Sequence, residues 1–196
     1  MKVIYYDIEE TPSTNTLAKT YMHLWDPYAL TIISTTNQTE GRGKFGRTWQ
    51  SSKGDLLNTF CFFLTDFDID PSRLFRLGTE AVIALCEELG ITKAKIKWPN
   101  DVFIGGKKLS GILPETVQVE NLLGVILGIG INGNTPITSL KDVGQSATSL
   151  QELIGKPIDI ESTRELLVDH LLRILDQNLK DCLATKLDDG KVQKAK

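Results

Sequence analysis

The chain has 196 residues, 41% hydrophobic and 24% charged, with a net charge of -3 from 22 basic and 25 acidic side chains. That length and composition suit one soluble globular domain whose core needs no staples. The mild acidic balance excludes a general attraction to nucleic acid or to an anionic membrane, so any basic cluster has to be read locally, as a site for a small anion.

Val3 to Ile8 reads as a first strand. Pro12-Ser13-Thr14-Asn15 follows with helix-capping chemistry, and Leu17, Tyr21, Leu24 and Trp25 recur at the spacing of a half-buried helix. Ala29 to Ser34 is a β-rich run that leads into a long polar loop, Thr35 to Lys53. Leu57 to Leu64 is nearly all apolar, the pattern of a strand covered on both faces. Asp70-Pro71 opens a helix that runs to Leu89 and stops at Gly90. Ala94 to Trp98 reads as a strand broken by Pro99-Asn100-Asp101, and Val102 to Ile104 and Lys108 to Leu113 as hairpin arms joined by Gly105-Gly106. Asn121 to Asn132 is a further buried strand, and two helices begin with capping boxes, Ser149 with Glu152 and Ser162 with Glu165. The last of these buries Leu167, Leu171, Ile174 and Leu175. Strands interspersed with helices, several of them adjacent, predict an α+β fold: a mixed, largely antiparallel sheet with helices packed on one face. Residues 1–185 are expected to form one domain, and the polar run from Lys186 to Lys196 a frayed tail.

Cys61, Cys86 and Cys182 are far apart and form no CxxC pair, which argues against a disulfide framework and suits a reducing cytosol. His23 and His170 stand in no metal-binding spacing and read as packing or surface residues. MKVIYYDIEE carries acids where a signal peptide needs an apolar run, and no stretch approaches the roughly 18 apolar residues of a membrane span. The expectation is a cytoplasmic protein.

Four segments carry chemistry. Gly41-Arg42-Gly43-Lys44-Phe45-Gly46-Arg47 combines three glycines, which let backbone approach a ligand, with three cations that suit phosphate or carboxylate. Read alone, it fits a solvated surface loop equally well, and Trp49 tips the balance by pinning one end into the core. Lys97-Trp98-Pro99-Asn100-Asp101 ends a strand in a turn whose Asn and Asp suit Mg²⁺ and hydroxyl groups, although an ordinary turn has the same composition. In Lys107-Lys108-Leu109-Ser110-Gly111-Ile112-Leu113, alternation puts Leu109 and Leu113 on one face and Lys108, Ser110 and Ile112 on the other. With the leucines in the core, Lys108 stands on the opposite face and Lys107 is the solvated one. In Gly128-Ile129-Gly130-Ile131-Asn132, the same alternation gathers Gly128, Gly130 and Asn132 on one face, against Val125, Leu127, Ile129 and Ile131. Two glycines on one strand face leave room for something flat against the backbone.

Ser13-Thr14-Asn15, GRGKFGRTWQS, KWPND with KKLSGIL, and GIGIN occur in this order, and the pattern resembles the biotin protein ligases from Ser13 to ATSLQELIG and the helix beyond. The resemblance implies the catalytic fold of the biotin and lipoate ligases, akin to class II aminoacyl-tRNA synthetases. It also implies a two-step reaction in which biotin and ATP, with Mg²⁺, give biotinyl-5′-AMP, and a lysine of a biotin carboxyl carrier protein then takes the acyl group. By that resemblance Ser13, Thr14, Asn15, Gln38 and Lys108 hold biotin, with Gly128 and Gly130 making room for its rings. Gly41, Arg42, Gly43 and Lys44 belong to the loop over biotin and the adenylate phosphate. Lys97, Trp98, Asn100 and Asn132, with Arg42 and Lys44, serve ATP, and Asp101 takes the metal. Lys108, Arg42 and Asp101 are the expected catalytic groups. The carrier protein is the expected partner, with no nucleic acid or membrane, and a homodimer is compatible.

Three departures from the pattern stand out. Lys44 replaces the second arginine of the usual RGR triplet, and an ammonium grips phosphate less rigidly than a guanidinium fork. No winged helix precedes the catalytic region, so repressor activity is not expected, and no small β-barrel follows the last helix, which weakens the assignment of ATP contacts more than of biotin contacts. The rival readings are a lipoate or octanoate ligase or transferase of the same fold, and a non-catalytic biotin-binding module.

Overall fold

The strands are β1 (Lys2–Thr11), β2 (Ala29–Gln38), β3 (Leu56–Leu64), β4 (Ala94–Lys97), β5 (Asp101–Ile104), β6 (Lys107–Val119) and β7 (Leu122–Ile131), in a computed structural model that describes residues 1–136 and 146–184. They form one seven-stranded sheet in the order β1-β2-β3-β7-β6-β5-β4. Only the β1–β2 pairing is parallel. The expected mixed, largely antiparallel sheet is therefore observed. The tail from Lys186 lies outside the described residues.

Two long helices cover one face, α2 (Pro71–Glu88) and α4 (Ile160–Leu179), with the short α3 (Leu150–Ile154) beside them. Leu74, Leu77, Leu85, Leu167, Leu171 and Leu175 meet Phe60, Phe62, Leu127 and Ile129 of the sheet in the main core. Phe60 and Phe62 are fully buried, and each such side chain contributes on the order of 2 kcal/mol through apolar burial. β3 is buried at every position because the opposite face is covered too, by α1 (Thr14–Tyr21). Ala18 and Met22 pack there against Ile33, Cys61, Phe63 and Ile126. Helices thus lie on both faces rather than one, with the long pair together as expected.

Local chemistry explains most boundaries. The Asp70 carboxylate accepts from the Ser72 amide, and Pro71 occupies the first helical position, where its missing N–H costs nothing. Gly105 and Gly106 adopt φ of +56° and +80°, the left-handed geometry of a tight hairpin turn. α4 begins earlier than its apparent capping box: Asp159 is the cap and accepts from the Ser162 amide at 2.8 Å, so Ser162 sits inside the first turn. In α1 the buried positions are Thr14, Asn15 and Ala18, whereas Tyr21 and Leu24 are exposed, which corrects the apolar face read from Leu17, Tyr21, Leu24 and Trp25. Its first polar residues are buried because the helix lies on a polar patch of β3.

β6 also departs from simple alternation. Val102 pairs with Ser110 but Phe103 pairs with Lys108, leaving Leu109 as an extra residue in a β-bulge. Leu109 and Ile112 therefore both enter the core. Lys108 and Gly111 share the opposite face, each against Trp49, so the grouping of Lys108 with Ile112 is corrected. Lys107 is not simply solvated, since its ammonium lies 3.0 Å from Glu152.

Candidate active site

On the α1 face of the sheet lies a cavity of about 250 Å³, bounded by the start of α1, the loop 41–49, and β3, β6 and β7. Of the residues singled out in the sequence, Ser13, Thr14, Asn15, Gln38, Arg42, Gly43, Lys44, Asn100, Lys108, Gly128 and Gly130 line it. These come from six separate stretches of chain, so the fold, not local sequence, assembles them.

One wall is a polar network. Gln38 Oε1 accepts from the Thr14 amide at 2.9 Å and from the Thr14 hydroxyl at 3.1 Å. Thr59 of β3 donates to Asn15 Oδ1 at 2.7 Å, and its oxygen lies 2.8 Å from that of Thr14. Asn15 Nδ2 donates to the Leu113 carbonyl at 3.0 Å and to Glu115 Oε2 at 3.1 Å. Ser13, Thr14 and Asn15 are thus not spent on capping: the Ser13 side chain makes no cap bond, and the other two face the sheet.

The floor is glycine. A Cβ added at Gly128 would lie 2.4 Å from Asn15 Oδ1, and one at Gly130 only 2.7 Å from the Trp49 ring. The indole also lies over Gly111, where an added Cβ would be 2.9 Å from it. Trp49 is therefore a plate laid flat on the sheet at two glycines. Its ring nitrogen is buried without a hydrogen-bond partner among the described residues.

The third side carries charge. Lys108 Nζ lies 2.8 Å from Asp101 Oδ1, and both side chains are largely buried. The same ammonium stands 5.4 Å from the centre of the Trp49 ring. Arg42 grips Glu115 with two bonds of 3.1 Å. Lys44 Nζ sits over the Phe75 ring of α2 at 4.5 Å. The loop itself is closed by Gly43 N–H to Arg47 O at 2.7 Å and Trp49 N–H to Gly41 O at 2.8 Å.

Other expected residues lie elsewhere. Lys97 stacks over Phe103 at 4.8 Å on the exposed side of the β4–β5 hairpin, and Trp98 is 62% exposed, so neither faces the cavity. Asn132 donates to the Thr148 carbonyl at 2.8 Å and to that of Lys108 at 3.4 Å, clamping the segment after residue 145 against β6. Gly41 lies just behind the lining, its Cα facing the Trp49 carbonyl. Asp101 points inward to Lys108 rather than outward from a turn. Among the described residues no three His, Cys, Asp or Glu side chains gather around a cation-sized space. A dication at Asp101 would have to displace the Lys108 ammonium, so these residues do not fit a protein-held metal site.

Residues 8–132 match the Biotin/lipoate A/B protein ligase family. The chain belongs to this family. The Bifunctional ligase/repressor BirA of Bacillus subtilis is 33% identical over 154 residues, which are 77% of this chain and 46% of that protein. The Biotin--[acetyl-CoA-carboxylase] ligase of Mycobacterium tuberculosis is 28% identical over 76% of this chain and 53% of its own length. A biotin protein ligase from Aquifex aeolicus, solved in complex with biotin and ATP, superposes with a TM-score of 0.70 at 31% identity, over 89% of this chain and 71% of that one. The chain thus spans about half the length of these curated relatives.

Within the biotin/lipoate ligase frame, Thr59, Trp49 and Glu115 have no counterpart among the residues expected from the sequence beyond the hint at Trp49. In the sequence Thr59 is one polar residue within the apolar run Leu57 to Leu64, and Glu115 is an isolated acid. A third such residue is Asp55, 4% exposed, whose carboxylate accepts from the Ser52 amide at 3.0 Å, the Gly133 amide at 2.9 Å and the Thr135 hydroxyl. It ties the end of the basic loop to the segment after β7. Burial pushes its carboxyl above the usual carboxylate range despite those donors. A raised native pKa means that the folded state holds the proton more tightly than the unfolded one. Its contribution to stability is then full below the ordinary carboxylate range and is lost as pH rises through the native value. In thermal melts from acid to neutral pH, the stability of the wild type relative to Asp55→Asn is expected to fall as pH rises. A rising or flat difference would mean that the donors outweigh the burial.

Proposed function

We propose that this chain is the catalytic domain of an ATP-dependent biotin protein ligase, carried by residues 1–185. The observation that carries the reading is the Lys108 ammonium, held by Asp101 at 2.8 Å against Trp49, at the junction between the polar wall and the basic loop. A carboxylic acid seated on the glycine floor, with its cyclic urea toward Thr14, Gln38, Asn15 and Thr59, directs its carboxylate toward that ammonium. A urea offers one acceptor and two donors, which hydroxyl and amide side chains complement.

Activation joins two anions, so fixed cations are needed where they meet. The carboxylate oxygen attacks the α-phosphorus of ATP, pyrophosphate leaves, and a mixed anhydride with AMP remains. Lys108 and Arg42 offset the charge of the acid and the phosphate, with Lys44 and Arg47 at the rim. In the second step the amine of a carrier lysine, once deprotonated, attacks the acyl carbonyl, the amide forms, and AMP leaves. Trp49 and the loop 41–47 exclude water, which would otherwise hydrolyse the anhydride. Asn100 at the lining marks the nucleotide side of this reading. The carrier protein of an acetyl-CoA carboxylase is the proposed acceptor, in line with the name of the M. tuberculosis relative.

The deciding experiment is ATP–pyrophosphate exchange with biotin, with lipoate and with no acid. Biotin-dependent exchange is expected. Exchange with lipoate alone would move the protein to the lipoate branch of the family. Biotin binding without exchange would make it a binding module.

A further inference from the structure

Glu115 joins Asn15 of the polar wall to Arg42 of the basic loop, yet it is not among the residues that line the cavity. Its two carboxylate oxygens take both terminal nitrogens of Arg42 at 3.1 Å, the Asn15 amide nitrogen at 3.1 Å, and the Lys19 ammonium at 3.8 Å. The Glu115 side chain is 16% exposed and that of Arg42 45%, so the carboxylate is partly desolvated while the guanidinium still meets solvent. A bidentate guanidinium–carboxylate fork has the same donor geometry as a guanidinium–phosphate fork.

We propose that Glu115 is a positioning residue that stands in for the ligand's phosphate, holding Arg42 and the loop 41–47 across β6 until the nucleotide takes the guanidinium over. The inference rests on the reading above for the identity of that ligand, but the Arg42–Glu115 pair is a property of the chain itself. Three features support it. Arg42 has no second acid partner among the described residues, so the arginine is held by this one carboxylate. Lys44, two residues on, is parked on the Phe75 ring of α2 and gives the loop a second anchor. Asn15, fixed through Oδ1 by Thr59, shares Glu115 through Nδ2, so the acid pocket and the loop meet at one carboxylate. A nucleotide phosphate must therefore compete with Glu115, and the latch lowers apparent affinity for ATP while leaving that for the acid unchanged.

The test uses Glu115→Gln, whose remaining carbonyl oxygen still accepts from Asn15 but carries no charge. In ligand-free protein, tryptic cleavage after Arg42 is expected to speed up about three- to tenfold, the range of a half-exposed charge-assisted pair. In the exchange assay the KM for ATP is expected to fall by a similar factor, with the KM for biotin unchanged. A merely structural role would move both KM values or the melting temperature instead. Unchanged cleavage, or a KM for ATP that rises, overturns the latch. Absence of exchange in the wild type would sink the ligase reading alone, because the tryptic comparison still decides whether Glu115 holds the loop.

Discussion

Lys108→Met is expected to lower biotin-dependent exchange by at least about a hundredfold, the scale on which loss of one preorganised charge-stabilising donor is felt. Methionine keeps most of the stem that lies along Trp49, so the change removes charge more than volume. The loss falls on the chemical step because the ammonium is where acid and phosphate meet. Removing it also leaves the Asp101 carboxylate, 8% exposed, without its partner at 2.8 Å, and breaking such a pair costs about 3–5 kcal/mol. Stability and activity then have to be separated. In the double variant Lys108→Met, Asp101→Asn the orphaned charge is gone, so stability should largely return while exchange stays low. Exchange within threefold of wild type in either variant would show that the ammonium is not used.

The second large effect concerns the floor. Gly128→Ala places a methyl where Asn15 Oδ1 now sits 2.4 Å away, and Gly130→Ala places one 2.7 Å from Trp49. Neither neighbour can yield easily: Asn15 is held by Thr59, Leu113 and Glu115, and Trp49 lies flat on the sheet. Overpacking of this kind costs about 1–3 kcal/mol, and here it falls on the pocket, so biotin affinity should drop roughly ten- to a hundredfold. Gly124 provides a matched control on the same strand face. A Cβ there meets the Met22 thioether methyl at 2.8 Å, the mobile end of a flexible side chain. Gly124→Ala should leave biotin binding unchanged in a calorimetric titration, and equal losses in all three variants would mean a general sheet defect.

What was legible in the sequence follows the range over which each signal acts. The α2 cap at Asp70-Pro71 and the Gly105-Gly106 turn depend on neighbours within four residues, and both are where the sequence puts them. The glycine face of GIGIN is likewise a property of one strand's alternation, and Gly128 and Gly130 form the floor as read. The buried face of α1 was misread because the periodic template weighs Leu17 and Tyr21 by hydrophobicity, while the surface beneath the helix is set by Thr59 and Gln38, which want hydroxyl and amide partners. Glu115 and Asp55 were missed for a similar reason. Glu115 meets Arg42 across 73 residues and Asp55 meets Gly133 across 78, and an isolated acid gives no local sign of such a partner. The placement of Lys97 and Trp98 on the nucleotide side was carried by family resemblance, and their side chains face away from the cavity.

The extra residue in β6 makes this part of the chain sensitive to length as well as to residue identity. Because Leu109 bulges, Lys108 and Gly111 point to one face while Leu109 and Ile112 point to the other. Deleting Leu109 would close the bulge and leave Lys108 and Gly111 on one face, whereas deleting a residue beyond it in β6 would shift the pairing of the strand with β7 and send its side chains to the opposite faces. The nearby turn between β6 and β7, where Glu120 already adopts φ of +53°, has no such parity to keep. Insertions should therefore be tolerated at residues 120 and 121, while within β6 a changed count shifts every pair that the strand makes with β7.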